Sequence, residues 1–280
     1  LDTPQGFSFE RLSLGEQVTG RDGLLRFENS SLTIELRQAR RWKCDLPDLQ
    51  ADMTVPAVAA AWESVWQALS KRQALSGSEI LAGDLFRPDA TVLAGLPRKA
   101  GEAMRALVDV TRQYDLTATA VVGALIGLGP GLTPGGDDLL VGYLAGLWCT
   151  VRDRNERVQF ISTLGKTVIR LSRQTNDISR TYLYHAARGQ VSSPLAVLAE
   201  AICRGDHCAA PMHSAYSVHS TYSARSDRLL DAAEAAMRVG HTSGMEAVAG
   251  LLVGLTAWNS PRTPPPLSDR STSLPVHGCN

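Results

Sequence analysis

One ten-residue stretch limits what this chain can fold into more than any other. Gly127-Leu128-Gly129-Pro130-Gly131-Leu132-Thr133-Pro134-Gly135-Gly136 holds five glycines and two prolines, a density that neither a helix nor a strand tolerates. Glycine admits positive φ and close approach to the backbone, and proline stiffens what remains. The segment that follows, Asp137 to about Val151, is apolar and reads as a buried helix. The stretch is therefore expected to be a rigid loop feeding a helix N-terminus. Free amides and the helix dipole at such a junction sum to an anion site, with the Thr133 hydroxyl as a further donor.

Asp137 and Asp138 open that helix and admit two readings. An Asp near a helix start is an ordinary cap. Two adjacent acids exceed what one cap requires, so one is expected to bind a divalent cation or a nitrogen donor of a substrate.

The texture returns 108–109 residues later in Gly240-His241-Thr242-Ser243-Gly244-Met245-Glu246. Dropping Gly135 from the first copy aligns Gly136 with Gly244, Asp138 with Glu246, Gly142 with Gly250 and Gly146 with Gly254. Each copy reads as Gly-x-Thr, a turn, a carboxylate just inside an apolar helix, then two glycines four apart. Glycines at that spacing share a face, so the two helices are expected to cross there and aim their N-termini at one pocket. His241 is the best-placed general acid or base by position, although capping or packing is the commoner role for such a residue.

A third patch runs from Thr175 to Gly189. Asn176 or Asp177 would cap this helix and Gly189 would end it. Ser179, Tyr182 and Ala186 fall on one stripe, either lining the pocket with hydroxyls or forming ordinary helix surface.

Around these segments the pattern is α+β, with a small N-terminal antiparallel β-rich lobe and a large helical body. Leu24–Phe27, Leu32–Leu36 and Arg41–Cys44 read as strands, parted by the turn formers Arg21-Asp22-Gly23 and Asn29-Ser30-Ser31. Helices are expected over Ala57–Leu69, Lys99–Tyr114, Ala118–Ile126, Arg157–Arg173, Ile178–Ala187, Pro194–Cys203, Ser226–Val239 and Met245–Trp258. Ala118–Ile126 is apolar all round and so expected to be buried. Trp62, Trp66, Trp148 and Trp258 are expected in the core. The domain boundaries that follow are 1–56, 57–259 and a Pro/Ser-rich, flexible tail at 260–280.

Composition narrows the function. Twenty-eight basic residues balance 28 acidic ones, which argues against a general nucleic-acid binder. No apolar run reaches the ~20 residues of a membrane span. Five scattered cysteines make no disulfide framework. A reducing, cytoplasmic location is expected from these unpaired cysteines, and no secretory leader is recognised at Leu1. Cys203, His207, Cys208, His213 and His219 form a loose cluster that matches no usual zinc spacing. Gly127-Leu128-Gly129 lacks the third glycine of the dinucleotide fingerprint, and Gly165-Lys166-Thr167 lacks the first glycine of a P-loop. Arg188, on the third patch, could pair with a carboxylate ligand.

The sequence resembles a known family at three places: Gly127 to Pro134 with Asp137-Asp138; Ile178 to Leu183 with Ala186 to Gly189; and Gly240 to Gly244. It is similar there to the AllH-type subunit of bacterial oxamate carbamoyltransferase. The resemblance covers roughly residues 120 to 258. It implies a multi-subunit enzyme of allantoin and oxamate nitrogen catabolism, which interconverts oxamate and carbamoyl phosphate with oxalurate and phosphate. The expected partners are a small anionic metabolite and further subunits. Gly129, Gly131, Leu132 and Thr133 would hold the anion, with Asn176, Ser179, Tyr182, Thr242, Ser243 and Gly244 completing the pocket. Asp137, Asp138 and His241 would be the catalytic candidates. Asp138 and Glu246 would hold a divalent metal such as Mg. The alternative is a non-catalytic metabolite-binding or scaffold subunit.

Overall fold

The structure is a computed structural model that describes residues 11–39, 44, 46–76, 80–86, 95–115, 119–152, 154–205 and 219–258, with the side chains of 219–227 left aside. The chain divides into two compact units, Leu1–Lys43 and Cys44–Asn280. The expected tail, the strand at Arg41–Lys43 and most of the Cys/His cluster lie outside the described residues.

The first unit carries a three-stranded antiparallel meander in the order β1-β2-β3, with β1 at Val18–Arg21, β2 at Leu24–Phe27 and β3 at Thr33–Glu35. Asp22 and Gly23 both take positive φ, 53° and 73°, between the paired residues Arg21 and Leu24. Two consecutive left-handed residues make the tight hairpin turn whose twist matches the strands. Strand β1 is exposed along its whole length. Its polar sequence gives no alternation to read, and the sequence analysis missed it.

The second unit is helical. Its helices are α1 (Pro56–Ser76), α2 (Ala82–Phe86), α3 (Gly95–Arg112), α4 (Thr119–Leu125), α5 (Gly135–Cys149), α6 (Asn155–Leu171), α7 (Asp177–Ala186), α8 (Ser193–Cys203), α9 (His219–Met237) and α10 (Ser243–Thr256). The α+β reading therefore holds. Helix α2, five residues long, is too short to leave a periodic signal.

Helices α5 and α10 form the centre. Thirteen of the fifteen residues of α5 and twelve of the fourteen of α10 are buried, as expected of helices that are apolar all round. They pack most extensively on one another. Helices α4, α6, α7 and α8 pack on α5, and α1, α8 and α9 pack on α10. The Trp62 indole of α1 donates to the Leu252 carbonyl at 2.9 Å and stacks on Trp66, ring centroids 5.4 Å apart. Trp148 and Trp258 are only partly buried. Helix α4 corrects an expectation: only Val122 and Leu125 are buried, while Thr119, Ala120 and Ala124 are exposed. Small apolar residues on a short helix look alike whether covered or not, so composition cannot tell its faces apart.

Four glycines allow the central contact. A Cβ on Gly142 would fall on the Ala247 carbonyl, and one on Gly250 on the Leu139 carbonyl. A Cβ on Gly146 would lie 2.5 Å from the Leu251 oxygen, and one on Gly254 would meet the Tyr143 carbonyl. The helices thus cross backbone to backbone at the paired glycines, as the internal echo implies. Contacts advance in the same direction along both chains, so the helices run parallel and their N-termini lie at the same end.

This crossing gives a stability prediction. Gly250→Ala forces a methyl group into main chain and should destabilise by about 3 kcal/mol or more. Gly83→Ala, at an exposed helical position with nothing within 4 Å of the added carbon, should instead stabilise by about 0.5–1 kcal/mol. Urea denaturation of the two variants checks the contrast, and similar midpoints would refute the close-crossing account.

Candidate functional site

The loop between α4 and α5 needs its glycines. Gly127, Gly129 and Gly131 take φ of 72°, 111° and 98°, a region that L side chains seldom adopt. The chain turns back so that the Gly136 amide donates to the Leu128 carbonyl at 2.8 Å. A Cβ on Gly136 would strike the Leu125 carbonyl, and one on Gly244 would strike the Ala236 carbonyl. Each copy of the echo is thus a helix end, a glycine turn and a second helix packed hard against the first. Counted from the first residue of α5 and of α10, the equivalent pairs occupy the same second, fourth, eighth and twelfth positions.

The expectation for the start of α5 needs correction in two respects. The amides of Asp137 and Asp138 both donate to the Pro134 carbonyl, at 2.9 and 3.2 Å, so with Gly136 three of the first-turn donors are taken, and the Gly135 amide, where the loop ends, has no backbone acceptor among the described residues. Pro134 is the N-cap residue and no side chain caps the helix. Neither aspartate is a cap. The loop amides of Gly129, Gly131, Leu132 and Thr133 donate to no backbone carbonyl among the described residues. Gly131 and Leu132 are exposed, with Leu132 74% accessible, while Gly129 and Thr133 are half-buried. Donors for an anion therefore lie in the loop and not in the helix behind it.

Successive residues on a helix point about 100° apart, and the two aspartates accordingly face different neighbours. Asp137 Oδ1 accepts from the Gly127 amide at 2.8 Å, and its Oδ2 accepts from the Thr175 hydroxyl at 2.6 Å. It ties the root of the loop to the residue ahead of α7. No local pattern marks Thr175 as a partner, because the contact spans 38 residues.

Asp138 faces α10. It is 7% exposed, and its Oδ2 is buried without a hydrogen-bond partner. The Ser243 and Thr133 hydroxyls face its carboxyl group, and they bond to each other at 2.6 Å. Glu246, 6% exposed, approaches from the other helix and accepts from the Thr242 hydroxyl at 3.3 Å. A Cβ on Gly135 would lie 2.7 Å from Glu246 Oε1, the end of a flexible side chain, so a larger residue at 135 would push this carboxyl from its present place. Sequence reasoning passed over Gly135, which was the residue dropped to align the two copies. Burial, then the nearby Glu246 charge, pushes the Asp138 carboxyl up to about 8, against the lowering effect of the two hydroxyls. Asp138 is then largely a neutral acid at pH 7.

The remaining expected residues lie around this junction or beside it. Gly244 sits in the first turn of α10, packed on the end of α9. His241 lies exposed in the turn ahead of α10. Asn176 caps α7, its Oδ1 accepting from the Ile178 and Ser179 amides at 3.0 Å each, which settles the choice between Asn176 and Asp177. Ser179 is buried, with an Oγ that has no partner, whereas Tyr182 is 47% exposed. Ala186 is buried like Ser179, so the stripe is covered at both ends and open at Tyr182 between them. Arg188 lies over the Tyr184 ring. Among the described residues no group of three or more His, Cys, Asp or Glu side chains could hold a metal ion. No described helix is long and apolar enough to cross a membrane.

The raised Asp138 carboxyl predicts a pH dependence. Its native value near 8 stands above the ordinary 3.8, so between those limits the native state keeps a proton that the unfolded state has lost. Stability should therefore fall as pH rises from about 4 to about 8, by at most about 1.4 kcal/mol per unit. Asp138→Asn should flatten that slope and raise stability at pH 8. Chemical denaturation at pH 5, 6.5 and 8 tests this, and an unchanged slope in the variant would place the titrating group elsewhere.

The chain matches no curated protein and no solved structure. A family model does match, over residues 125–255, from the last residue of α4 to within α10. The stretch that contains the glycine loop, both central helices and the Asp138–Glu246 pair therefore matches the AllH family, described as oxamate carbamoyltransferase subunit AllH.

Proposed function

We propose that this chain is a subunit of an oxamate carbamoyltransferase-type assembly, and that its α5–α10 junction binds the small anionic metabolite, oxamate or carbamoyl phosphate. One observation carries the reading. Parallel crossing of two glycine-faced helices gathers Thr133, Asp138, Thr242, Ser243 and Glu246 at one end, beside a loop whose amides have no backbone acceptor. Structural need alone does not explain a buried carboxyl oxygen left without a partner.

The roles follow from charge. The loop amides of Gly129, Gly131, Leu132 and Thr133 donate to the anionic end of the ligand, and the positive poles of two helices reinforce them. A neutral Asp138 removes one of the negative charges that would repel such a ligand. In carbamoyl transfer the amide nitrogen of oxamate attacks the carbamoyl carbon, the bond to phosphate oxygen breaks, and phosphate leaves carrying the proton that the nitrogen gives up. Fixed donors that stabilise the charge growing on that phosphate supply the main catalytic effect. No covalent intermediate on the chain is required.

A divalent ion is the competing occupant of the same place. Asp138 and Glu246 are hard oxygen donors, and magnesium is commonly held by one or two carboxylates together with substrate phosphate. Two carboxyls alone are a sparse ligand set, so direct hydrogen bonding is the preferred reading.

The full chain should bind oxamate and carbamoyl phosphate by calorimetry in the presence of EDTA. Thr133→Val should weaken both by about tenfold through loss of a hydroxyl donor. Absence of binding to either compound, by the chain and by its purified assembly, would overturn the proposal. Binding only with added magnesium would give the pair to the metal.

A further inference from the structure

The geometry points to the Asp138–Glu246 pair as a primary-amide subsite, which selects a ligand carrying –NH2 over isosteres ending in a carboxylate or a methyl group. The inference rests on the binding reading above and assigns which end of the ligand meets which residues.

Apart from the single proton on Asp138, the chemistry at this spot is that of acceptors. Asp138 Oδ2 is buried and has no partner. Glu246, on the facing helix, has Oε2 in contact with the Thr242 hydroxyl and Oε1 set against the Gly135 main chain. A carboxylate has about four lone-pair sites, so Glu246 accepts a further bond while keeping the contacts it has, and a protonated carboxyl still accepts through its remaining lone pairs. A planar –NH2 group carries two N–H bonds that diverge, and it can give one to each carboxyl. No other uncharged terminal group of that size supplies two donors.

The same arrangement rejects close relatives of the ligand. A carboxylate placed there can take the one proton of Asp138 for one of its oxygens, but it sets the other against the Glu246 acceptors and adds a negative charge beside a buried acid pair. A methyl group leaves the buried Asp138 oxygen as unpartnered as it is without ligand. Sites built to bond a donor reject analogues that lack it far more strongly than sites that only fill space. The anionic end of the molecule is then directed away from the pair, toward the loop amides of Gly129 to Thr133. The Thr133–Ser243 hydroxyl contact lies between these two regions, since both hydroxyls also face the Asp138 carboxyl.

Three compounds of nearly equal size separate the possibilities: oxamate, oxalate and pyruvate, which end in –NH2, –O⁻ and –CH3. Calorimetric titration of the full chain, or of its purified assembly, with each compound in EDTA reads the selectivity directly. Oxamate should bind at least about tenfold more tightly than either of the others. Glu246→Gln replaces one acceptor by a group that also donates, so it should weaken oxamate and strengthen oxalate, narrowing or reversing that ratio. Circular dichroism establishes that the variant is folded, and Asp138→Asn provides a second variant with the same expected direction.

Equal affinity for the three compounds would overturn the inference and leave the binding reading standing. So would a folded Glu246→Gln protein with an unchanged order of affinities. Binding of none of the three, together with no binding of carbamoyl phosphate, would overturn both. Binding that vanishes in EDTA and returns with magnesium would show the pair to be a metal subsite, and would overturn the amide assignment alone.

Discussion

The rest of the helical unit depends on the absence of side chains at four places. Gly142, Gly146, Gly250 and Gly254 let α5 and α10 meet main chain to main chain. Once they touch so closely, their relative direction and register are fixed, because interlocked backbones cannot slide without collision. The direction is parallel, an arrangement with a cost. Two helix starts, each equivalent to about half a positive charge, are brought together in a region of low exposure. The acids Asp137, Asp138 and Glu246, all in the first turns, are the natural compensation. Glycine contact and acid placement are therefore two parts of a single solution.

Compensation is incomplete in a useful way. Three carboxyl groups exceed what two half-charges can balance, and burial penalises each ionised form. The structure divides the load. Asp137 receives two hydrogen bonds, one from a backbone amide and one from a hydroxyl. Asp138 is pushed toward its neutral form, first by burial and then by Glu246. The outcome is one acid committed to holding the loop against α7 and one acid poised near neutrality. A buried acid pushed toward its neutral form beside a second carboxyl makes Asp138 a candidate functional residue.

Much of this was legible in the sequence, and what was not has a physical reason. The repeat of Gly-x-Thr, carboxylate and spaced glycines predicted the crossing, since it depends on positions within each helix. Strand β2 and the helices α5 to α8 and α10 were legible from local pattern for the same reason. Partners across the chain were not legible. Nothing near Asp137 names Thr175, and nothing near Gly135 names Glu246, because both contacts form only when the helices have packed. The first-turn amides of α5 illustrate the opposite error. A glycine-rich loop before a helix implies free donors, but Leu128 and Pro134 turn their carbonyls inward and use them. Composition could not show which way those carbonyls point.

The residue that breaks the symmetry of the two copies is also the one that shapes the site. Gly135 holds in α5 the first place that Ser243 holds in α10. With no side chain at that place, bare main chain stands against Glu246 Oε1. Asp138 is one methylene shorter than Glu246, so the two carboxyls reach unequal distances from helices that cross nearly symmetrically. The two acids thereby differ in surroundings: one lies under the Thr133 and Ser243 hydroxyls, the other beside Thr242 and the loop backbone. A strictly symmetric pair would offer the same face to either end of a ligand. An asymmetric pair, placed beside a donor loop present in only one copy, can distinguish the two ends of a molecule that is an anion at one end and an amide at the other.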